Sequence, residues 1–239
     1  MQKTLGANQL SEFYHNEFVA DQVLDFKVCF YDASNPITGV IIDIGGGVGY
    51  FAGAVKNDLG NTVRVIDMDP LSVANCKKLG LDAEMGDCTK LIPKGDETIV
   101  CFNLILHHLV ASTEKNTKIL QASAVRIWRS NSRKIFVNEY IYESYIPNLS
   151  GWLIYQITSS RFLSTIGRAV SKIIPSFRAN TFGTGVRFRS HREWKQIFTH
   201  EGFQVTKSII GKNEHVALPL RMLLIKNIRR DSFLLESSN

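Results

Sequence analysis

The chain has 239 residues, 44% of them hydrophobic, and a formal net charge of +6. That length suits one α/β domain with an elaboration, and the apolar share suits a buried core rather than a disordered or fibrous chain. The mild basic excess permits anionic ligands, a membrane surface or nucleic acid, while every apolar run falls short of the ~18 residues of a membrane span.

Met1 to Asn8 is polar and lacks the pattern of a signal peptide. Leu10, Phe13, Tyr14, Phe18, Val23, Leu24 and Val28 recur at helical spacing, which predicts one or two N-terminal helices broken by Asp32-Ala-Ser-Asn-Pro36. Val40 to Ile44, β-branched and apolar, predicts a first buried strand, and a helix follows over Val48–Asp58, stopped by Gly60-Asn61. A second strand over Thr62–Ile66 ends at Asp67-Met68-Asp69, where Pro70 is placed to open a helix running to Lys78. A third strand, Leu81–Met85, ends in Gly86-Asp87-Cys88. A fourth spans Thr98–Leu104, a helix spans Thr113–Arg129, and a fifth strand spans Lys134–Glu139. Strands alternating with helices at this spacing imply right-handed βαβ units in a mostly parallel sheet covered on both faces.

Beyond the fifth strand the rhythm changes, and residues 141–190 contain no clear strand. Phe162, Leu163, Ile166, Ala169, Val170, Ile173 and Ile174 form one apolar stripe of a helix, with Arg161, Ser164, Arg168, Ser171 and Lys172 opposite, and Pro175 ends it. A helix over Arg192–His200, stopped by Gly202, then leads to a strand at Phe203–Ile210. Leu220–Ile225 predicts the last of seven strands, and Arg229–Asn239 reads as a frayed tail. The four cysteines, Cys29, Cys76, Cys88 and Cys101, show neither a CxxC pair nor a zinc spacing with the histidines. They read as reduced core residues of a cytoplasmic protein without a metal site.

The chemistry concentrates in Val40-Ile-Ile-Asp43-Ile-Gly45-Gly46-Gly47-Val-Gly49-Tyr-Phe-Ala. A buried strand turning through glycines into a helix exposes backbone to a ligand, and the helix start offers unpaired N–H groups. A G-x-G-x-x-G count from Gly45 meets Tyr50 where the third glycine should stand; a count from Gly47 gives Gly47, Gly49 and Ala52. The spacing present is Asp43-x-Gly45-x-Gly47-x-Gly49. In this the chain resembles the class I S-adenosylmethionine-dependent methyltransferases, the small-molecule branch. The resemblance implies a Rossmann-like doubly wound sheet with a helical lid insertion, and S-adenosyl-L-methionine as cofactor.

It also implies roles, station by station. Gly45, Gly47 and Gly49 would pass beneath the cofactor's sugar and methionine part, with Asp43 at its amino-acid end. Asp67, followed by Met68, would accept from the ribose hydroxyls. Asp87 would take the adenine amino group and Cys88 would pack on the ring. Phe102-Asn103 to Leu109 would lie beside the sulfonium methyl. Other readings stay open: Asp43 as a cap of the following turn, Asp69 in place of Asp67, and Asp87 as a plain turn residue. The expected organisation is a single domain, with N-terminal helices at 1–36, a cofactor-binding half at 37–140, a lid or acceptor-binding insertion at 141–190, and a C-terminal helix and strands at 191–228.

Methyl transfer from a sulfonium is an in-line displacement, in which alignment and sometimes removal of a proton matter. His107 and His108 are the base candidates. The position of His107 resembles the catalytic base of plant-type O-methyltransferases; a similar His-His pair is common in the ubiquinone-biosynthesis-like branch, where it is not a proven base, and the competing reading has one histidine packing under the cofactor and the other capping the helix. Asn103-Leu-Ile-Leu differs from the Asn/Asp-Pro-Pro-Tyr of amino methylation of adenine or glutamine, and Cys101 lies inside a strand rather than at a nucleophile's place. The expectation is therefore a methyl acceptor that is a small molecule, anionic or amphipathic, with O-methylation ahead of C- or N-methylation. Trp152, Tyr155, Phe162 and Phe182 are candidates to line its pocket, and Arg178, Arg187 and Arg189 to hold a phosphate or carboxylate. The competing readings of 141–190 are plain packing on the core and an interfacial helix on an anionic membrane. An RNA-directed enzyme and a non-catalytic partner subunit are the alternatives from other classes.

Overall fold

The computed structural model describes residues 16–31, 37–173 and 181–238. The expected breaks at Asp32–Pro36 and Pro175, together with Leu10, Phe13, Tyr14 and Arg178, lie outside them. The β-branched run Val40–Ile44 becomes β1, buried on both faces because its alternate residues feed two cores. Ile41 packs with Phe51, Val55 and Val65 on one side, and Ile42 and Ile44 with Val100, Phe102 and Val125 on the other. The remaining elements are α1 (Asn16–Phe30), α2 (Tyr50–Leu59), β2 (Val63–Asp67), α3 (Pro70–Lys78), β3 (Asp82–Met85), β4 (Glu97–Asn103), α4 (Glu114–Arg126), β5 (Lys134–Ser144), α5 (Leu149–Ser159), α6 (Arg161–Ile173), α7 (His191–His200), β6 (Phe203–Ile209), α8 (Leu218–Arg221) and β7 (Ile225–Ser237).

The strands form one seven-stranded sheet in the order β3-β2-β1-β4-β5-β7-β6. The pairings from β3 through β5 are parallel, and β7 runs antiparallel to both of its neighbours. This is the expected Rossmann-like, doubly wound, mostly parallel sheet with helices on both faces. Its order reverses between β1 and β4, and in such sheets the crevice at the strands' C-terminal ends beside that reversal is where ligands bind. The glycine turn after β1 sits there.

Two expectations about the second half are corrected. β5 does not stop at Glu139 but continues to Ser144, within the stretch read as lacking strands. Leu220–Ile225 is not the last strand: Leu218–Arg221 is a short helical turn, and the supposed frayed tail is β7, inserted between β5 and β6. β7 pairs with β5 from Ile225↔Ser144 to Glu236↔Lys134. Its interior charges are matched across the fold. Arg229 bonds Glu143 at 3.1 Å and Asp231 at 2.9 Å, Arg230 bonds Asp21 of α1 at 2.9 Å, and buried Asp231 lies 2.7 Å from His191.

Candidate cofactor and active site

The turn after β1 needs glycine for two reasons. Gly45, Gly47 and Gly49 have φ of 67°, 55° and 83°, in the left-handed region. A Cβ on Gly45 would also stand 2.7 Å from the Ile105 side chain, and one on Gly49 would stand 2.6 Å from Leu81. Asp67, the last residue of β2, accepts from Gly47 N at 2.9 Å and from Asp69 N at 2.8 Å. Partial burial raises the pKa of its carboxyl from the ordinary value. Asp69 does a different job: it caps α3, accepting from Leu71 N, Ser72 N and Ser72 Oγ. Met68 lies half-buried between the two acids.

Asp43 does not cap the turn. It is fully buried, and its Oδ1 accepts from Asn103 Nδ2 at 3.1 Å. Its Oδ2 and Asn103 Oδ1 are both buried without a hydrogen-bond partner. Desolvation raises the Asp43 carboxyl to about 7; the bond from Asn103 opposes this and the nearby charge of Asp67 adds to it. Two buried oxygens without partners, beside the glycine turn, are an unfavourable arrangement. A cationic donor such as an ammonium group would satisfy them, and the residues present therefore fit the amino-acid end of the implied cofactor.

The third station is less open. Asp87 accepts from Thr89 N at 2.9 Å and Thr89 Oγ1 at 2.6 Å, closing a local turn. Cys88 is buried with Ile66 and Phe102 in the core, and burial pushes its thiol up to about 12. The Cys88 side chain thus fills the sheet's core rather than presenting an open face to a ring.

Beyond β4, Leu104 takes a positive φ of 54° and its N–H donates to Asn138 O. Leu106–His108 then form a 3₁₀ turn packed against the middle of β5 at Glu139. Glu139, fully buried, holds the turn with both oxygens: Oε1 accepts from Leu106 N at 2.6 Å, and Oε2 lies 2.6 Å from His107 Nδ1. The His107 ring stacks on Phe188 at 4.8 Å, Tyr142 covers Phe188's other face at 4.1 Å, and Tyr140 stands edge-on to both His107 and Phe188. His108 lies 4.2 Å from His107, and burial, then the neighbouring His107, lowers its pKa well below the ordinary imidazole value. Sequence reading found His107 but missed Glu139. The signal was an acid inside the largely apolar run Ile135–Ile141, a place where a charge needs a partner.

The arginine expectation is overturned for Arg187 and Arg189. Both are 2% exposed. Arg187 bonds Glu114 at 2.9 Å and Glu193 at 3.2 Å, and Arg189 bonds Glu114 at 3.0 Å, Glu193 at 3.2 Å and Gln121 at 2.6 Å. Two cations against two acids leave no surplus charge for an anionic acceptor. The aromatic candidates do not converge either. Tyr155 is buried and donates to Ala111 O at 2.8 Å, Phe182 packs near Gly167, and Trp152 and Phe162 are exposed. Among the described residues no three His, Cys, Asp or Glu side chains gather to hold a metal ion.

No protein-family profile matches the sequence, and no curated protein matches it. Solved structures do. The MccD protein shares a TM-score of 0.60 at 11% identity, over 92% of this chain and 97% of its own. Magnesium protoporphyrin IX methyltransferase from Synechocystis PCC 6803, with bound S-adenosylhomocysteine, gives 0.56 at 13%, over 99% and 90%. Geranyl diphosphate C-methyltransferase from Streptomyces coelicolor, with Mg2+, geranyl diphosphate and S-adenosylhomocysteine, gives 0.57 at 9%, over 91% and 77%. At these identities the likeness establishes the fold alone, a Rossmann-like α/β fold.

Proposed function

We propose that the protein is an S-adenosyl-L-methionine-dependent methyltransferase acting on a small-molecule acceptor, with O-methylation favoured. When bound, the cofactor supplies a methyl group activated on a sulfonium. The chain's own residues do the holding. Gly45, Gly47 and Gly49 bring backbone close to the ligand, Asp43 with Asn103 receives its ammonium, and Asp67 beside Met68 accepts from its ribose hydroxyls. Asp87 and Cys88 border the adenine end. The observation that carries this reading is the pair of unpartnered buried oxygens, Asp43 Oδ2 and Asn103 Oδ1, beside the glycine turn at the sheet's reversal.

For an acceptor hydroxyl, His107 is the base. Glu139 engages Nδ1 and leaves Nε2 as the ring's other nitrogen to take a proton. A second reading rests on burial: His107 is 1% exposed under Phe188. In that reading His107 and Glu139 fix the Leu106–His108 turn, and the acceptor is aligned without proton removal. Titration calorimetry with S-adenosylhomocysteine tests the central claim, and absence of binding to the wild type would sink it. Identification of the methylated atom in the product then separates O- from C- and N-methylation.

A further inference from the structure

The helix α6 is amphipathic, yet it is seated the wrong way round for a helix that serves the core. Its contacts to the protein run along a small-residue edge. Ser164 is fully buried and its Oγ donates to Ile157 O at 2.9 Å and Thr158 O at 3.0 Å, both on α5. Gly167 lies so close to Phe182 that a Cβ there would stand 2.5 Å from the ring. The apolar stripe points elsewhere: Phe162 is 73% exposed, Ile166 46% and Leu163 37%. Trp152, on the neighbouring α5, is 41% exposed. Phe162, Leu163 and Ile166 are therefore not covered by the described part of the chain. Exposed apolar residues clustered on one helical face mark a contact with something else.

The charge of the segment states what that something is. No aspartate or glutamate lies between Glu143 and Glu193, while seven Arg or Lys do. Arg187 and Arg189 are neutralised by Glu114 and Glu193. Arg161 and Lys172, at the two ends of α6, are exposed, as is Arg192 at the start of α7. An apolar face flanked by cations without local acids is complementary to an anionic lipid surface, where the apolar face enters the acyl boundary and the cations reach the headgroups. No helix of the described residues is long and apolar enough to cross a membrane, so the contact is peripheral. We propose that the α5–α6 face docks the protein on anionic membranes through Phe162, Leu163 and Ile166, with Arg161 and Lys172 supplying the attraction. The inference does not depend on the methyl-transfer reading.

The test is sedimentation of the full chain with sucrose-loaded vesicles, either phosphatidylcholine alone or phosphatidylcholine with about one third phosphatidylglycerol, at low and at high salt. The wild type is expected to bind the anionic vesicles, to be released by salt, and to leave the neutral ones in the supernatant. Arg161→Glu with Lys172→Glu is expected to lower partition by roughly fivefold or more per residue, and Phe162→Ser with Ile166→Ser to abolish it. Unchanged circular dichroism and melting temperature show that the variants fold. Wild-type protein that ignores anionic vesicles overturns the proposal, and so does equal binding by the folded variants. A concentration-dependent dimer in gel filtration that Phe162→Ser with Ile166→Ser dissolves, without vesicle binding, overturns it in favour of a second copy of this chain.

Discussion

Nδ1 of His107 and Oε2 of Glu139 lie 2.6 Å apart in a site from which both side chains are almost wholly withdrawn from water. Glu139 also takes Leu106 N–H, so one carboxyl fixes both the turn's backbone and its imidazole. The two readings of His107 diverge under mutation. If it is a base, His107→Ala slows turnover about 100-fold or more while S-adenosylhomocysteine affinity holds. If it only packs, turnover falls no further than the loss of folded protein accounts for. Glu139→Ala strips two donors of their acceptor and is expected to cost about 2–4 kcal/mol in denaturant unfolding. Glu139→Gln keeps one acceptor oxygen and should cost less.

Asp67 and Asp69 separate just as cleanly. Asp67 holds Gly47 N–H at the mouth of the glycine turn, whereas the oxygens of Asp69 are taken up capping α3. Asp67→Ala is expected to weaken S-adenosylhomocysteine binding by roughly 10- to 100-fold, the worth of charge-assisted hydrogen bonds. Asp69→Ala should lower stability by about 1 kcal/mol, a typical N-cap loss, and leave affinity near wild type. Calorimetry and thermal melts on both variants check this; the reverse pattern would move the ribose contact to Asp69.

How much of this was legible beforehand depends on how local each signal was. The first five strands announce themselves because apolar runs, glycine stops and terminal acids lie within a few residues of one another, as in Val40–Gly49. β7 was missed because Arg229-Arg230-Asp231 looks like a solvated tail in any short window. Its partners Glu143, Asp21 and His191 are distant in sequence, so only the fold reveals that each charge is matched. Arg187 and Arg189 misled for the same reason, their acids Glu114 and Glu193 standing on two different helices. For α6 the periodicity was read correctly, but which edge of a helix meets the protein is decided by fit. There a serine and a glycine allow closer approach than Phe162 or Ile166.

If β7 is integral, removing residues 229–239 should destroy the fold rather than trim an end. The deletion removes the register from Arg229↔Ile141 to Glu236↔Lys134 and leaves β6 without a neighbour. The truncated chain is expected to be insoluble or to lack a cooperative melt. The milder Phe233→Ala, at a fully buried position, should cost about 3–5 kcal/mol. A soluble truncation with a wild-type melting temperature would return the segment to the status of a tail.

Asp43 yields the most specific expectation, because its sign can be worked out. Its folded carboxyl titrates at about 7, against 3.8 when unfolded. Between those values the folded protein holds a proton that the unfolded chain has released. This contribution to stability is therefore full below about pH 4 and is lost as pH rises towards 7, by up to ~4 kcal/mol. Asp43→Asn, which cannot ionise, should flatten that slope and be more stable than the wild type at pH 8 without ligand. Ligand binding should expose the same proton. A cofactor ammonium placed against Asp43 Oδ2 favours the ionised carboxylate, so binding S-adenosylhomocysteine at pH 6 should release a proton. Calorimetry in buffers of different ionisation enthalpy reads this directly, as a binding enthalpy that varies with the buffer for the wild type and not for Asp43→Asn. A wild-type enthalpy independent of buffer at pH 6, with binding otherwise intact, would mean that the ammonium is received elsewhere and that the orphaned oxygens of Asp43 and Asn103 serve another donor.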